Sequence, residues 1–183
     1  PGDKSTEDVT THVTLMARRR EQALRDHLEP VLGEYDAVLF DCAPSRNILH
    51  RAAIAVADWL IIPTQLSTLD VHGVRLIIEM VREVRADLPG SRVQLAGILP
   101  TLYERRTKET VEVWRQLSKL YPEHIWAPIP QDVRVREAPA YSRTLWEYAP
   151  DTNAVIGFEV RNGGGERVGG YTTVLENMLN LMP

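Results

Sequence analysis

The sequence predicts an α/β fold, a doubly wound and mostly parallel sheet, and three observations carry that expectation. Short apolar runs of strand length alternate with longer stretches of helical periodicity, the pattern of βαβ units. Three of four such runs exit through proline, at Pro63, Pro100 and Pro130, where a central ladder cannot continue. The remaining run, Ala37 to Phe40, has no polar break and stops at Asp41, as a strand buried on both faces would at its carboxyl end.

In chain order, Leu15, Leu24, Leu28, Val31 and Leu32 fall at near-helical spacing, with Arg18, Arg19 and Arg20 on the solvent side. Tyr35 to Asp41 reads as the first strand. Asn47 to Ala57 is alanine-rich and reads as a helix. Trp59 to Ile62 is a second strand, ended by Pro63. Val74, Ile77, Ile78, Val81 and Val84 mark an amphipathic helix closed by Pro89 and Gly90. Val93 to Leu99 is a third strand, ended by Pro100. Val111, Trp114, Leu117 and Leu120 mark a helix closed at Pro122, and Ile125 to Ile129 a fourth short strand. Right-handed crossovers would set all four strand exits on one edge, where α/β folds bind ligands. Gly163 to Gly170 reads as a surface loop.

The 183 residues fit one α/β domain spanning 1–183, with 44% hydrophobic and 25% charged residues. No apolar run approaches the roughly 20 residues that span a bilayer, and no charged-then-apolar leader opens the chain. The single cysteine, Cys42, excludes an intrachain disulfide and fits a reducing, cytoplasmic setting; it reads as a small buried side chain. Net charge is −4, so any nucleic-acid contact must come from a local patch. The chain opens on Pro1 rather than methionine, so a processed or truncated product is expected.

An apolar strand ending in Asp41 before a small, Pro-containing loop has the form of a Walker B element, whose acid helps hold Mg²⁺ on nucleotide phosphates. An ordinary buried strand ending in a solvated acid has the same form. A Walker B strand works with a phosphate loop, G-x-x-x-x-G-K-[ST]. No Gly-Lys pair occurs in these 183 residues. Lys4-Ser5-Thr6 imitates the loop's tail, but Asp3 would set a carboxylate against the phosphates. Gly163 to Gly170 lacks the lysine.

Four segments together give the chain a resemblance. They are Tyr35-Asp-Ala-Val-Leu-Phe-Asp-Cys-Ala-Pro-Ser45, Ala57-Asp-Trp-Leu-Ile-Ile-Pro-Thr-Gln65, Gly97-Ile-Leu-Pro-Thr-Leu-Tyr-Glu-Arg-Arg-Thr107 and Ile129-Pro-Gln-Asp-Val-Arg-Val-Arg-Glu-Ala-Pro139. In this order and spacing, over about 12–152, the chain resembles the C-terminal two-thirds of a ParA/Soj-type partition ATPase, a deviant-Walker-A relative of MinD. The resemblance implies a P-loop NTPase fold without its P-loop strand in this chain. It implies ATP and Mg²⁺ as cofactors once the missing segment is supplied, with Asp41 as the catalytic acid that meets Mg²⁺ through water. It places Thr101, Pro130, Asp132 and Val133 at the edge of the adenine pocket. Arg106 and Arg134 match positions used for sequence-independent DNA binding; Arg105, Lys108 and Arg136 lie near them, and a solvated, salt-bridged face is the alternative. Implied partners are DNA, a ParB-like protein and a second copy in the ATP-bound state, in a bacterial cytoplasm at the nucleoid.

Ala43-Pro44 departs from the family's Pro-Pro, and 154–170 reads as an insertion. A gap left by the missing P-loop strand would be closed by its neighbours, filled by another segment or occupied by a strand outside these 183 residues. Ala154 to Val160, strand-like but weakened by Gly157, offers one filler. In the family the P-loop strand lies between the strands here read as Val38–Asp41 and Trp59–Ile62. By the same resemblance, the phosphate loop and first switch belong to roughly 80 residues that would precede Pro1. The alternative is a non-catalytic binding or regulatory module that kept the scaffold. A MinD-like membrane helix is disfavoured, because Tyr171 to Met182 carries no Lys or Arg and its stripe of Val174, Leu175, Met178 and Leu179 suits a core. One cysteine argues against the cluster-bearing nitrogenase iron protein class.

Overall fold

The computed structural model describes residues 24–42, 48–88, 90–104, 107–159 and 167–182. They fall in two compact units, one of 1–60 and 78–94, the other of 61–77 and 95–183. The elements are α1 (24–32), α2 (Ile48–Val56), β1 (Trp59–Gln65), α3 (Thr68–Asp87), β2 (Gln94–Thr101) and α4 (Lys108–Leu120). There follow α5 (Arg134–Glu137), a 3-10 turn (Ala138–Tyr141), α6 (Leu145–Tyr148), α7 (Asn153–Ile156), β3 (Phe158–Glu159), β4 (Arg167–Val168) and α8 (Gly170–Leu179).

In the first unit, Met80, Val81 and Val84 return to one face of α3 at helical spacing and pack with Ile54, Ala55 and Val93. Burying side chains of this kind stabilises by about 1.5–3 kcal/mol each. Arg51 on α2 reaches Asp87 at 2.8 Å and Glu83 at 3.7 Å. Being partly exposed, these pairs add at most about 1 kcal/mol each.

The run expected as the first strand is the clearest correction. Residues 37–42 carry no ladder, and every residue from 31 to 42 is exposed, Leu39 at 76%. An apolar run becomes a buried strand only with a hydrogen-bonded neighbour, and the described residues supply none. For the same reason Cys42 is exposed rather than buried. Partial desolvation, and then the Asp41 carboxylate, still push its thiol up, away from thiolate reactivity.

β1 and β2 pair with each other. The Gln94 N–H donates to the Asp58 carbonyl at 2.9 Å, and the Thr101 hydroxyl donates to the Thr64 carbonyl at 3.2 Å. Both strands advance together between these contacts, so they are parallel. Neither ends at its proline as expected. Pro63 is tolerated because the other edge of β1 has no ladder partner among the described residues. Pro100 lacks an N–H, but its carbonyl still accepts from the Ile129 N–H at 2.8 Å.

The fourth strand survives only as two parallel bridges, Ile98 with Ile125 and Tyr103 with Pro130. Its first rung is regular: Ile98 N–H to His124 carbonyl at 2.7 Å, and Trp126 N–H to Ile98 carbonyl at 2.9 Å. The next rung would need N–H groups from Pro100 and Pro128, which have none. The ladder loses that rung, keeps only the Ile129 N–H to Pro100 carbonyl bond there, and resumes its pairing at Tyr103, after Leu102 has turned to φ 51°.

β2 also approaches the 125–130 segment closely enough to demand glycine. A Cβ at Gly97 would overlap the Trp126 indole, whose Nε1–H donates to the Ala96 carbonyl at 3.2 Å. Trp126 packs in turn against Leu99, Ile129 and Val174. Gly97→Ala is therefore expected to cost about 1–3 kcal/mol as an overpacked core does, read as a lower urea midpoint with unchanged m. A midpoint equal to that of the parent would show that Trp126 yields freely.

On α4 the buried residues are Thr110, Val113 and Leu117. The expected stripe is rotated: Leu120 is exposed, and Trp114 meets Tyr103 edge-on at 5.2 Å. The proposed sheet filler is corrected too. Ala154 to Ile156 is helical, because the Thr152 hydroxyl caps α7 by accepting from the Val155 N–H at 3.4 Å. Phe158 and Glu159 pair antiparallel with Val168 and Arg167 in a hairpin of their own. On α8, Val174, Tyr171 and Met178 pack against Leu99 and Ile129, whereas Leu175 and Leu179, expected in the core, are exposed.

Candidate functional site

Asp41 belongs to the first unit and the other described candidates to the second. Asp41 is exposed at the end of the ladderless run. A single accessible carboxylate is the donor type that Mg²⁺ takes beside waters and phosphate oxygens, so the residue fits the role that resemblance gives it. Among the described residues no group of three or more His, Cys, Asp or Glu is arranged to hold a metal by itself.

In the second unit, Thr101 ends β2 half-buried, its hydroxyl committed to the Thr64 carbonyl. Leu102, next along, holds the left-handed conformation at φ 51°, which costs a leucine about 1–2 kcal/mol. Strain of that kind is typical beside ligand sites. It lets Tyr103 regain the ladder: its N–H donates to the Ile129 carbonyl at 3.0 Å, and its carbonyl accepts from the Gln131 N–H at 3.1 Å. These bonds fix the loop 130–133 beside the end of β2. Pro130 is half-buried, the Asp132 side chain is 11% exposed and Val133 is exposed. Thr101 and this loop are thus brought to one rim through Tyr103.

Asp132 is engaged locally. Its Oδ1 accepts from the Arg134 N–H at 3.0 Å, an Asx turn that starts α5, and its Oδ2 accepts from Arg134 Nη1 at 3.4 Å. Arg134 realises the salt-bridged arrangement while staying 54% exposed. Arg136 and Lys108 are exposed as well; Arg105 and Arg106 lie outside the described residues. Beyond α5, Tyr141 stacks on Tyr148 at 5.2 Å, and the Tyr148 hydroxyl donates to Glu137 at 3.2 Å. Thr144 and Glu147 form a capping box on α6. Its hydrogen bonds, first from the Thr144 backbone, hold the Glu147 carboxyl below its ordinary value.

Nothing in the residue types around Leu102 signals its left-handed turn. The Asx turn has a visible signal, an aspartate two residues before the residue whose N–H it accepts, in a Pro-Gln-Asp loop.

A family model described as an AAA domain matches residues 4–94. The chain is 37% identical over 130 residues to the chromosome-partitioning ATPase Soj of Thermus thermophilus, covering 70% of this chain and 49% of that protein. The chain is similar over most of its length to partition ATPases of the ParA/Soj type. It is also 31% identical to the chromosome partitioning protein ParA of Caulobacter vibrioides, over 81% of this chain and 56% of that protein. Among solved structures, it resembles cobyrinic acid a,c-diamide synthase of Mycobacterium smegmatis with a bound ATP analogue and magnesium. That match has a TM-score of 0.57 and 32% identity, and covers 67% of this chain and 50% of the other. It resembles in fold an ATP complex of a McdA variant from Cyanothece, with a TM-score of 0.67 at 22% identity, over 76% of this chain and 56% of that one. The chain has the P-loop NTPase type of α/β fold with a parallel sheet, and it spans about half the length of the curated relatives it matches. No described helix is long and apolar enough to cross a membrane.

Proposed function

We propose that this chain is part of a ParA-like ATPase that binds ATP, dimerises when ATP is bound and then binds DNA without sequence preference, in chromosome or plasmid segregation. The likeness to Soj over 70% of the chain carries the reading. Asp41 would hold Mg²⁺ through water, and Mg²⁺, when bound, neutralises charge on the phosphates. Thr101, Pro130, Asp132 and Val133 would edge the adenine. The Asp132 carboxylate is already occupied by Arg134, so this loop would meet the base through its backbone and the flank of Val133. A ParB-like protein is the expected partner, and a cytoplasmic, nucleoid-associated location follows from the same reading.

A second reading has a specific observation in its favour: these 183 residues contain no G-x-x-x-x-G-K-[ST] loop. By itself the chain would then act as a non-catalytic binding or regulatory module on the same scaffold.

Arg106 and Arg134 would contact phosphates. In the complete ATP-bound dimer, Arg106→Glu or Arg134→Glu should weaken binding to every duplex sequence alike. The log–log salt slope should flatten by roughly 0.9 for each contact removed. Titration of two unrelated duplexes across salt concentrations reads this. Loss at one sequence alone, or an unchanged slope, would remove these arginines from the interface. The 183-residue chain, with its net charge of −4, should hold duplex only weakly at physiological salt.

A further inference from the structure

Asp132 stands in an unusual relation to the cation two residues on. One carboxylate oxygen builds the backbone turn that presents Arg134, through Oδ1 and the Arg134 N–H at 3.0 Å. The other takes hold of the guanidinium itself, through Oδ2 and Nη1 at 3.4 Å. The carboxylate is largely sequestered, its side chain 11% exposed against 54% for Arg134. A largely buried carboxylate needs its partner more than a half-exposed guanidinium does, because leaving a buried charge unpaired is the costly step. Any phosphate that takes Arg134 must therefore compete with Asp132.

We infer that Asp132 is a positioning residue that holds Arg134 in place while acting as an internal competitor for the nucleic-acid phosphate, restraining its affinity. The inference rests on the DNA-binding reading of Arg134 given above. The two effects of Asp132 are separable by chemistry. Asp132→Asn keeps an oxygen for the Arg134 N–H and removes the charge facing the guanidinium. Asp132→Ala removes both.

The test uses the 183-residue chain and four variants, Asp132→Asn, Asp132→Ala, Arg134→Ala and the double variant of Asp132→Asn with Arg134→Ala, with a short mixed-sequence duplex at low ionic strength. Elution from immobilised heparin is measured in parallel, so that weak binders still give a reading. Asp132→Asn should bind about two- to fivefold more tightly, the scale of one half-exposed ion pair, and should show a steeper salt slope. The gain should vanish in the double variant, since two residues that act on each other are not additive. Asp132→Ala should gain less than Asp132→Asn, because it also loses the turn. Equal binding and elution for all the proteins, undetectable binding included, overturns the inference. So does a gain from Asp132→Asn that persists without Arg134, which would report net charge alone. If Arg134→Glu leaves the complete dimer's binding intact, the DNA reading fails instead, and the two failures are distinct.

Discussion

Gly169→Ala is expected to lower the stability of this chain by about 3 kcal/mol. Gly169 precedes α8 with φ 80° and ψ −160°, a region essentially reserved for glycine, where any other residue is strained by about 1–3 kcal/mol. A Cβ there would also overlap the Pro128 carbonyl oxygen, which is backbone and cannot rotate away. That carbonyl accepts from the Gly170 N–H at 3.1 Å, so the hairpin leading into α8 is bonded to the segment running into the 130–133 loop. Added to the strain, the overlap should separate that contact. For a chain of this size, about 3 kcal/mol corresponds to a fall in Tm of roughly 6–12 °C. Calorimetry of the variant reads it, and a Tm within a degree or two of the parent's would show that the seam relaxes without cost. The effect should reach the candidate site, with faster amide exchange at Gln131.

What is legible in the sequence follows the range of the forces involved. The helices α2, α3 and α4 are legible because 3.6-residue periodicity is local: Val74, Val81 and Val84 are buried where the pattern places them. Even there the period marks a helix better than its facing, as exposed Leu120 and buried Thr110 on α4 show. Pro63 and Pro100 mislead about strand ends because proline's effect depends on which neighbour each N–H would meet, and that is set by the sheet rather than the strand. The run at 37–42 misleads for the same reason. Its apolarity is real, but burial is a property of neighbours, and Leu39 stands exposed. At the candidate site, residue types are legible from the ordered motifs, whereas the Asp132–Arg134 pairing and the turn at Leu102 come from backbone geometry. Short capped turns such as Thr152 to Ile156 override a strand-like composition with two or three hydrogen bonds.

The larger functional effect belongs to Asp41. Phosphoryl transfer is catalysed mainly by positioning and by charge stabilisation from loop amides, lysine and Mg²⁺. In the proposed function Asp41 would supply one contact to that set, and losing a single preorganised electrostatic contact of this kind typically costs about 10²–10³ in turnover. The carboxylate is already exposed in this chain, so its removal should leave stability nearly unchanged, and lost turnover can be assigned to chemistry. Asp41→Asn, which keeps the shape, should fall almost as far as Asp41→Ala, because the charge rather than the volume is what Mg²⁺ requires.

The decisive measurement is steady-state ATP turnover with and without Mg²⁺, for the 183-residue chain and for a longer protein in which a phosphate-loop segment precedes it, each with Asp41 intact and replaced by alanine. We expect no Mg²⁺-dependent turnover from the 183-residue chain, and turnover from the longer protein that drops about 10²-fold or more with Asp41→Ala. Turnover by the 183 residues alone, or turnover in the longer protein indifferent to Asp41, would contradict the account.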